Sequence, residues 1–380
     1  MNDKANEPRI DAEEILAGIK EWVEIETPSH DGQAVNRLVT VVEGQLRKVG
    51  QKTERIPGAD GFGDILVGRS PWGGDGKGIL VVAHLDTVHP HGSLAGKMKW
   101  RREGDTVYAP GIYDMKAGGH MAYAAYRHLV RLGRQTKLPI TFLFVPEEEV
   151  GSPTSREIIE REAKRAKYAL VCEPARDGGK IVLARKGTVM MKLRTKGRAA
   201  HAGVRHQDGR SAIKEMAHQI LALEAMTNYE TGLTVSVGTI KGGTGTNVVP
   251  AECEIAVDMR IPSAAMVDEC LARVRNLKPY DPDVTIEVEG GLNRPPYETD
   301  EGIRSLYEHA RGVASELGFD LVGVKTGGGS DGNFTAALGV PTLDGLGADG
   351  KGAHAIDEQI YVSSLEPRTK LLLRLFETLS

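Results

Sequence analysis

The stretch Val81-Val82-Ala83-His84-Leu85-Asp86-Thr87-Val88 constrains the fold of this chain more than any other. A run of apolar, mostly β-branched residues that stops abruptly at His-x-Asp predicts a strand buried on both faces of a parallel sheet. In an open α/β sheet, ligands bind just beyond the carboxyl ends of the strands. His84 and Asp86 therefore sit where a site is expected. A ligating imidazole needs a partner for its second ring nitrogen, which fixes the tautomer and raises basicity. His84 is read as a metal ligand and Asp86 as the group that orients it.

Across the chain, 380 residues are enough for two domains, or for one large domain carrying an insertion. A formal net charge of −4 gives no electrostatic reason to expect nucleic acid or a membrane surface as partner. No run is apolar and long enough to span a bilayer. The opening Met1-Asn2-Asp3-Lys4-Ala5-Asn6-Glu7-Pro8 lacks the apolar centre of a signal peptide. Cys172, Cys253 and Cys270 show neither metal-type spacing nor an even-numbered disulfide framework, so a cytoplasmic location is expected.

Periodicity predicts helices over residues 11–26 and 33–49, the first stopped by Pro28-Ser29 and the second closed by Gly50. Strands follow at 53–56, 64–68 and 77–83, then a hairpin of 100–102 with 107–109 turned at Glu103-Gly104-Asp105. Pro110-Gly111-Ile112-Tyr113-Asp114-Met115-Lys116 leads into a helix from Ala117, whose small residues Gly118, Gly119, Ala122 and Ala125 predict close packing on the sheet. Strands at 138–145 and 168–172, with a helix at 155–166 between them, end in Pro146-Glu147-Glu148-Glu149 and in Glu173-Pro174.

From Lys186 the pattern changes. Val189, Met191 and Leu193 alternate with Met190, Lys192 and Arg194, the signature of an antiparallel strand with one wet face. A helix at 211–224, strands at 233–240 and 252–260, a helix at 264–276 and a strand at 284–288 complete a split-βαβ layout. After Pro295-Pro296, a helix, an apolar strand at 321–324, a glycine-rich turn and a final helix at 365–379 return to the first style. The turn lacks the Lys-Ser/Thr of a phosphate-binding loop. The predicted organisation is an α/β domain with a central mixed sheet over residues 1–185 and 299–380, interrupted by an inserted α+β domain over 186–298. The insert carries a four-stranded antiparallel sheet and two helices.

Chemistry-bearing residues gather at the ends of the first domain's strands: His84, Asp86, Asp114, Glu147, Glu148, Glu149 and Glu173, with His354 late in the chain. Two imidazoles and several carboxylates suit a pair of Zn2+-like ions. Ions about 3.5–4 Å apart can share one carboxylate and one water. Amide hydrolysis also needs a base that is not itself a ligand, and adjacent glutamates supply one of each.

The sequence resembles the M20 family of co-catalytic zinc peptidases and deacylases over nearly its whole length. The resemblance rests on Ala83-His84-Leu85-Asp86-Thr87-Val88, Gly111-Ile112-Tyr113-Asp114-Met115-Lys116-Ala117-Gly118, Glu147-Glu148-Glu149-Val150-Gly151-Ser152, Cys172-Glu173-Pro174, Ala200-His201-Ala202-Gly203, Thr246-Asn247-Val248-Val249-Pro250, Gly327-Gly328-Gly329-Ser330-Asp331-Gly332 and Gly352-Ala353-His354, in order. Glutamate carboxypeptidases of the carboxypeptidase G type are the nearest match, with acetylornithine and succinyl-diaminopimelate deacylases further off.

The resemblance implies two Zn2+ per subunit, with Co2+ or Mn2+ able to substitute. Asp114 would bridge both ions, His84 and Glu173 would complete one, and Glu149 and His354 the other. The family writes its acidic motif Asp-Glu-Glu. Here Glu147 replaces the Asp, which makes Glu148 the base and Glu149 the ligand. A cis peptide is implied at Asp114-Met115. His201 of the insert would reach the active site of a second subunit and stabilise the oxyanion, which implies a homodimer through the inserted domain. Arg260 would clamp the substrate's carboxylate, and Asn247 with the backbone N–H groups of Gly328 and Gly329 would help hold substrate. The expected activity is hydrolysis of the amide bond of N-acyl amino acids or dipeptide-like small molecules. The alternatives are a deacetylase or desuccinylase of the acetylornithine type, and a catalytically silent metal- or ligand-binding protein on the same scaffold. The remaining histidines, among them His89, His91, His120 and His128, read as loop, surface or helix residues.

Overall fold

The computed structural model describes residues 9–74 and 76–380. The N-terminal stretch read above for leader character, through Pro8, lies outside the described residues. The chain divides into two compact units. One comprises the chain up to Leu183 with Thr299–Lys325 and Ser330–Ser380, and the other comprises Ala184–Glu298 with Thr326–Gly329.

The first unit is built on a six-stranded mixed sheet in the order Lys52–Ile56, Ile65–Arg69, Ile140–Val145, Gly78–His84, Ala166–Val171, Thr342–Leu343. Gly78–His84 lies parallel to both neighbours, and every one of its residues is buried. Its side chains alternate between two cores. Ile79, Val81 and Ala83 face one with Phe142 and Phe144, while Leu80 and Val82 face the other with Leu143 and Ile159. This is why the run is continuously apolar rather than alternating. His84 stands opposite Val145, and Val82 opposite Val171, so the three parallel strands end close together.

The helix Ala117–Arg131 lies tight on this sheet, as its small residues predict. A side chain at Gly118 would overlap the carbonyl oxygen of Cys172, and one at Gly119 would meet Ala83 and Trp22. Trp22 packs edge-on against Phe144, and Phe142 against Tyr126 and Phe376, so Ala12–Val23, Ala117–Arg131 and Leu365–Thr378 share one core.

The first helix stops at Val23 rather than 26, and the carbonyl of Ile25 instead accepts a hydrogen bond from the buried Lys116 Nζ (2.7 Å). The strand Ile181–Arg185 is not among the expected ones; it pairs with Gly323–Thr326, which the strand expected at 321–324 overlaps. Of the four-stranded sheet of Gly350–Lys351, Gln359–Tyr361, Thr106–Tyr108 and Arg101–Glu103 only the hairpin was expected. The strands of two or three residues leave no readable period, whereas Ile181–Arg185 is five residues long and its apolar run was overlooked. Among the described residues, no helix is long and apolar enough to cross a membrane.

The second unit is a four-stranded antiparallel sheet, ordered Thr234–Gly242, Glu252–Ile261, Gly187–Lys196, Thr285–Arg294, with helices Ala212–Glu224 and Val267–Arg275. Val189, Met191, Leu193, Ile255, Val257 and Met259 supply its core with Met216 and Val274. The last strand runs on to Arg294 rather than stopping at 288. Gly290, at φ 94°, sits so close to the Met190 carbonyl that a Cβ there would clash, and pairing continues past it.

Candidate active site

Every residue expected at the metal centre lies in the first unit. His84 closes the central strand. Its Nε2 is 3.1 Å from Asp114 Oδ1, and its Nδ1 faces the backbone carbonyl of Asp86 at 3.0 Å and Asp86 Oδ1 at 3.3 Å. The orienting contact of Asp86 thus comes from its main chain as well as its carboxylate. That carboxylate, fully buried, also accepts from Ser29 Oγ (2.6 Å) and from the backbone N–H groups of Glu148 (3.1 Å) and Glu149 (3.3 Å). One side chain therefore fixes both the histidine and the acidic turn.

Asp114 sits in an irregular turn, Ile112–Lys116, just before the helix that packs on the sheet, and the Asp114–Met115 peptide is cis. Its two oxygens face different imidazoles: Oδ1 faces His84, and Oδ2 lies 3.4 Å from His354 Nε2. His354 Nε2 is also 3.0 Å from Glu149 Oε2. Glu173 follows the neighbouring strand, with Oε1 4.0 Å from His84 Nε2.

Potential ligand atoms of His84, Asp114 and Glu149 all lie within 4.8 Å of one another, as do those of His84, Glu148 and Glu173. Glu148, expected as a free base, thus stands close enough to count among the donors.

The electrostatics are those of a crowded acidic pocket. Burial would lower the pKa of His84, yet Asp114 and Asp86 hold it well above the usual imidazole range. Asp114 and Glu149 bond His354 and raise it to about 10. Burial raises Glu149, and the charge of Asp114 adds to this. Burial would raise Asp114 too, but His354 and His84 pull it well below the carboxylate norm. Five carboxylates (Asp86, Asp114, Glu148, Glu149, Glu173) face two imidazoles, an excess of negative charge that cations relieve.

Glu149 Oε1 is buried with no hydrogen-bond partner. A buried carboxylate oxygen left in that state is costly unless a cation takes the lone pair. The mixed N/O donor set fits Zn2+ or a similar divalent ion.

Glu147 belongs to another network. It is fully buried and accepts from Thr154 N (2.9 Å), Thr154 Oγ1 (2.8 Å), Ser155 N (2.7 Å) and Ser155 Oγ (2.6 Å), beside the start of the helix Arg156–Lys164.

The sequence reading missed Glu358 and the burial of His89. His89 is not a loop-surface residue: it is buried, with Nε2 2.5 Å from Glu358 Oε2. The only signal in the sequence was an acidic residue four positions after His354.

The other expected residues belong to the second unit. His201 is exposed, and its Nδ1 accepts from Gly203 N (3.1 Å). The Asn247 carbonyl accepts from Ala202 N (2.9 Å), tying the two motifs into one loop pair. Arg260 forks onto Asp258 Oδ1 (2.7 Å) and Oδ2 (2.9 Å), so the guanidinium expected to clamp a carboxylate already holds one. The carbonyls of Gly328 and Gly329 accept from Arg185, and Gly328 N–H lies 3.4 Å from Thr326 Oγ1.

Comparison with known proteins decides the family. The model of peptidase family M20/M25/M40 matches residues 80–378. The chain belongs to that family. It is therefore an M20 metallohydrolase, a metal-dependent class. It is 31% identical over 369 residues to Carboxypeptidase G2 of Pseudomonas sp. (strain RS-16), covering 95% of this chain and 88% of that protein. It is 28% identical to the succinyl-diaminopimelate desuccinylase of Cupriavidus taiwanensis, covering 90% and 92%. Among solved structures, the M20 fold recurs in aminopeptidase PepT from Bacillus cereus (TM-score 0.77, 24% identity, 97% of this chain and 98% of that one). It recurs also in the M20 family metallo-carboxypeptidase Sso-CP2 from Sulfolobus solfataricus (TM-score 0.74, 17% identity, 97% and 99%).

Proposed function

We propose that this M20 enzyme hydrolyses the amide bond of N-acyl amino acids or dipeptide-like small molecules that carry a free carboxylate, with two Zn2+ per subunit. The observation that carries the reading is the Asp114 carboxylate, with one oxygen turned to His84 and the other to His354. That is the arrangement a shared ligand needs. His84 and Glu173 would hold one ion, and Glu149 and His354 the other. When bound, such ions polarise a carbonyl and acidify a water.

The chain's own residues do the rest. Glu148 takes the proton of the attacking water and delivers it to the leaving amine. The engagement of Glu147 by Thr154 and Ser155 supports this register, because it leaves Glu148 and Glu149 as the acids at the cluster. Asp86 keeps His84 in the tautomer that presents Nε2. Arg260 receives the substrate carboxylate in place of Asp258. Asn247, Gly328 and Gly329 help to position substrate, and His201, contributed by a second copy, donates to the developing oxyanion.

A homodimer through the second unit is part of this reading. Thr234–Gly242 is an edge strand, and Ile240 on it, with Ile213 and Leu221 on the adjoining helix, is exposed. We place the enzyme in the cytoplasm, on the free state of its three cysteines. The likeness to the Cupriavidus desuccinylase keeps a deacetylase or desuccinylase activity as the second reading.

The test is turnover of acyl-glutamates, acetyl- and succinyl-amino acids and dipeptides by zinc-loaded protein, with Glu148→Ala as control. Cleavage of acyl-glutamates that the control lacks is the expected result. Preference for acetyl or succinyl amino acids would select the second reading. Two bound metals with no turnover anywhere would leave only a binding protein.

A further inference from the structure

Glu358 is buried in the same loop as His354, and its carboxylate is saturated by protein donors. Oε1 accepts from the backbone N–H groups of Tyr113 (2.8 Å) and Asp114 (2.9 Å). Oε2 accepts from Gly111 N–H (2.9 Å) and faces His89 Nε2 at 2.5 Å. Three of these four donors belong to the turn that carries Asp114.

That turn needs an outside acceptor. Gly111 is left-handed at φ 65°, Asp114 and Met115 are non-helical, and the regular helix begins only at Ala117. The N–H groups of Gly111, Tyr113 and Asp114 precede it. Buried N–H groups without partners are costly, and successive ones form a concavity suited to an anion. Here the anion is a side chain of the protein itself.

The fourth donor extends the link. His89 lies three residues after Asp86, on the chain that leaves the His84 strand. One carboxylate therefore ties together three segments: the one after His84, the one holding Asp114 and the one holding His354.

We propose that Glu358, with His89 behind it, is a positioning residue that sets the Asp114 carboxylate for metal binding. This rests on the reading of Asp114 as a ligand. With both oxygens occupied, Glu358 is not a ligand itself. Its removal acts through the placement of Asp114.

The test compares full-length wild type, Glu358→Gln, His89→Gln and Asp114→Asn. The metal-free proteins are checked for a cooperative melt. Zn2+ affinity is then measured by chelator competition, and the Co2+ visible absorption spectrum is recorded as a report on ligand geometry. Glu358→Gln turns an NH2 toward donors. The expected result is a Zn2+ affinity lower by about 10–100-fold, the usual effect of losing a group that supports a ligand, with a changed Co2+ spectrum. His89→Gln keeps all three backbone contacts to Glu358 and is expected to fold, with a smaller loss in the same direction. It decides the matter if Glu358→Gln does not melt cooperatively. Wild-type affinity and spectrum in the folded variants would overturn the inference. Asp114→Asn separates the two readings. If it binds metal like wild type, the metal centre itself is misread. If it loses metal while the Glu358 and His89 variants keep it, only the positioning role fails.

Discussion

Three consecutive glutamates with three different surroundings make the acidic turn the sharpest test at the residue scale. Glu147 accepts four hydrogen bonds from Thr154 and Ser155, whereas Glu149 has one oxygen on His354 and one without a partner. Glu147→Gln is expected to lower stability by about 1–3 kcal/mol, because a charged acceptor is removed from buried donors. It should leave metal content and kcat near wild type. Glu149→Gln should do the reverse, losing metal with little effect on the metal-free melt. Urea unfolding alongside metal analysis of both variants checks this, and the opposite pattern would make Glu147 the ligand, two residues back. Glu148→Ala should retain metal and lose about 10²–10⁴-fold in kcat, the usual worth of a positioned general base. Loss of metal instead would make Glu148 a ligand, as its closeness to His84 and Glu173 allows.

His84, Asp114 and Glu173 were legible in the sequence because a buried strand or a glycine turn ends at each of them. The engagement of Glu147 and the role of Glu358 were not. Both depend on partners that periodicity does not report, and for Glu358 those partners lie more than two hundred positions away.

Elements were readable where a long period or a packing constraint marks them. The small-residue face of Ala117–Arg131 announced close contact, and Gly118 lies against the Cys172 carbonyl, one residue before Glu173. Gly118→Ala is expected to cost about 1–3 kcal/mol by overpacking and to weaken metal binding, since the same helix follows the Asp114 turn. Thermal melts with chelator competition test both effects, and a silent substitution would mean that the helix can shift freely.

In the second unit, the helix Ala212–Glu224 is anchored by buried Glu215. Its carboxylate accepts from the N–H groups of Tyr280 (2.9 Å) and Asp281 (2.9 Å) and from Gln219 Nε2 (2.7 Å). Burial would raise its pKa, but these donors, with His218 nearby, hold it below the ordinary 4.5. A depressed folded value contributes stability above the unfolded pKa and loses it as pH falls through the folded one. Glu215→Gln should therefore be less stable than wild type by about 1–3 kcal/mol at pH 7. The gap should close progressively below pH 4.5. A gap constant from pH 7 to pH 3 would remove the charge from the explanation.

At the scale of the whole molecule, the switch from buried runs to alternating strands near Lys186 shows two styles of sheet in one chain. The two-residue strands and the return of Thr326–Gly329 to the second unit are settled by tertiary contacts alone. Whether a second copy supplies His201 to the metal centre, as proposed, is a question of assembly, and complementation answers it. On the proposed roles, chains bearing Glu148→Ala lack the base, and chains bearing His201→Ala lack the oxyanion donor. If His201 acts across a dimer, a mixed dimer has one site with Glu148 from one chain and His201 from the other. Co-expression in equal amounts should then restore about a quarter of wild-type turnover, since half the dimers are mixed and each carries one intact site. If His201 serves its own chain, no site in the mixture is complete, and activity stays at the mean of the two variants. Adding Leu221→Asp to both chains, at a residue exposed on the outer helix, should abolish the recovery and yield monomers by light scattering while leaving metal content unchanged. Activity that stays at the mean of the two variants while the chains remain dimeric would exclude the cross-copy role, because each mixed dimer would then hold no complete site.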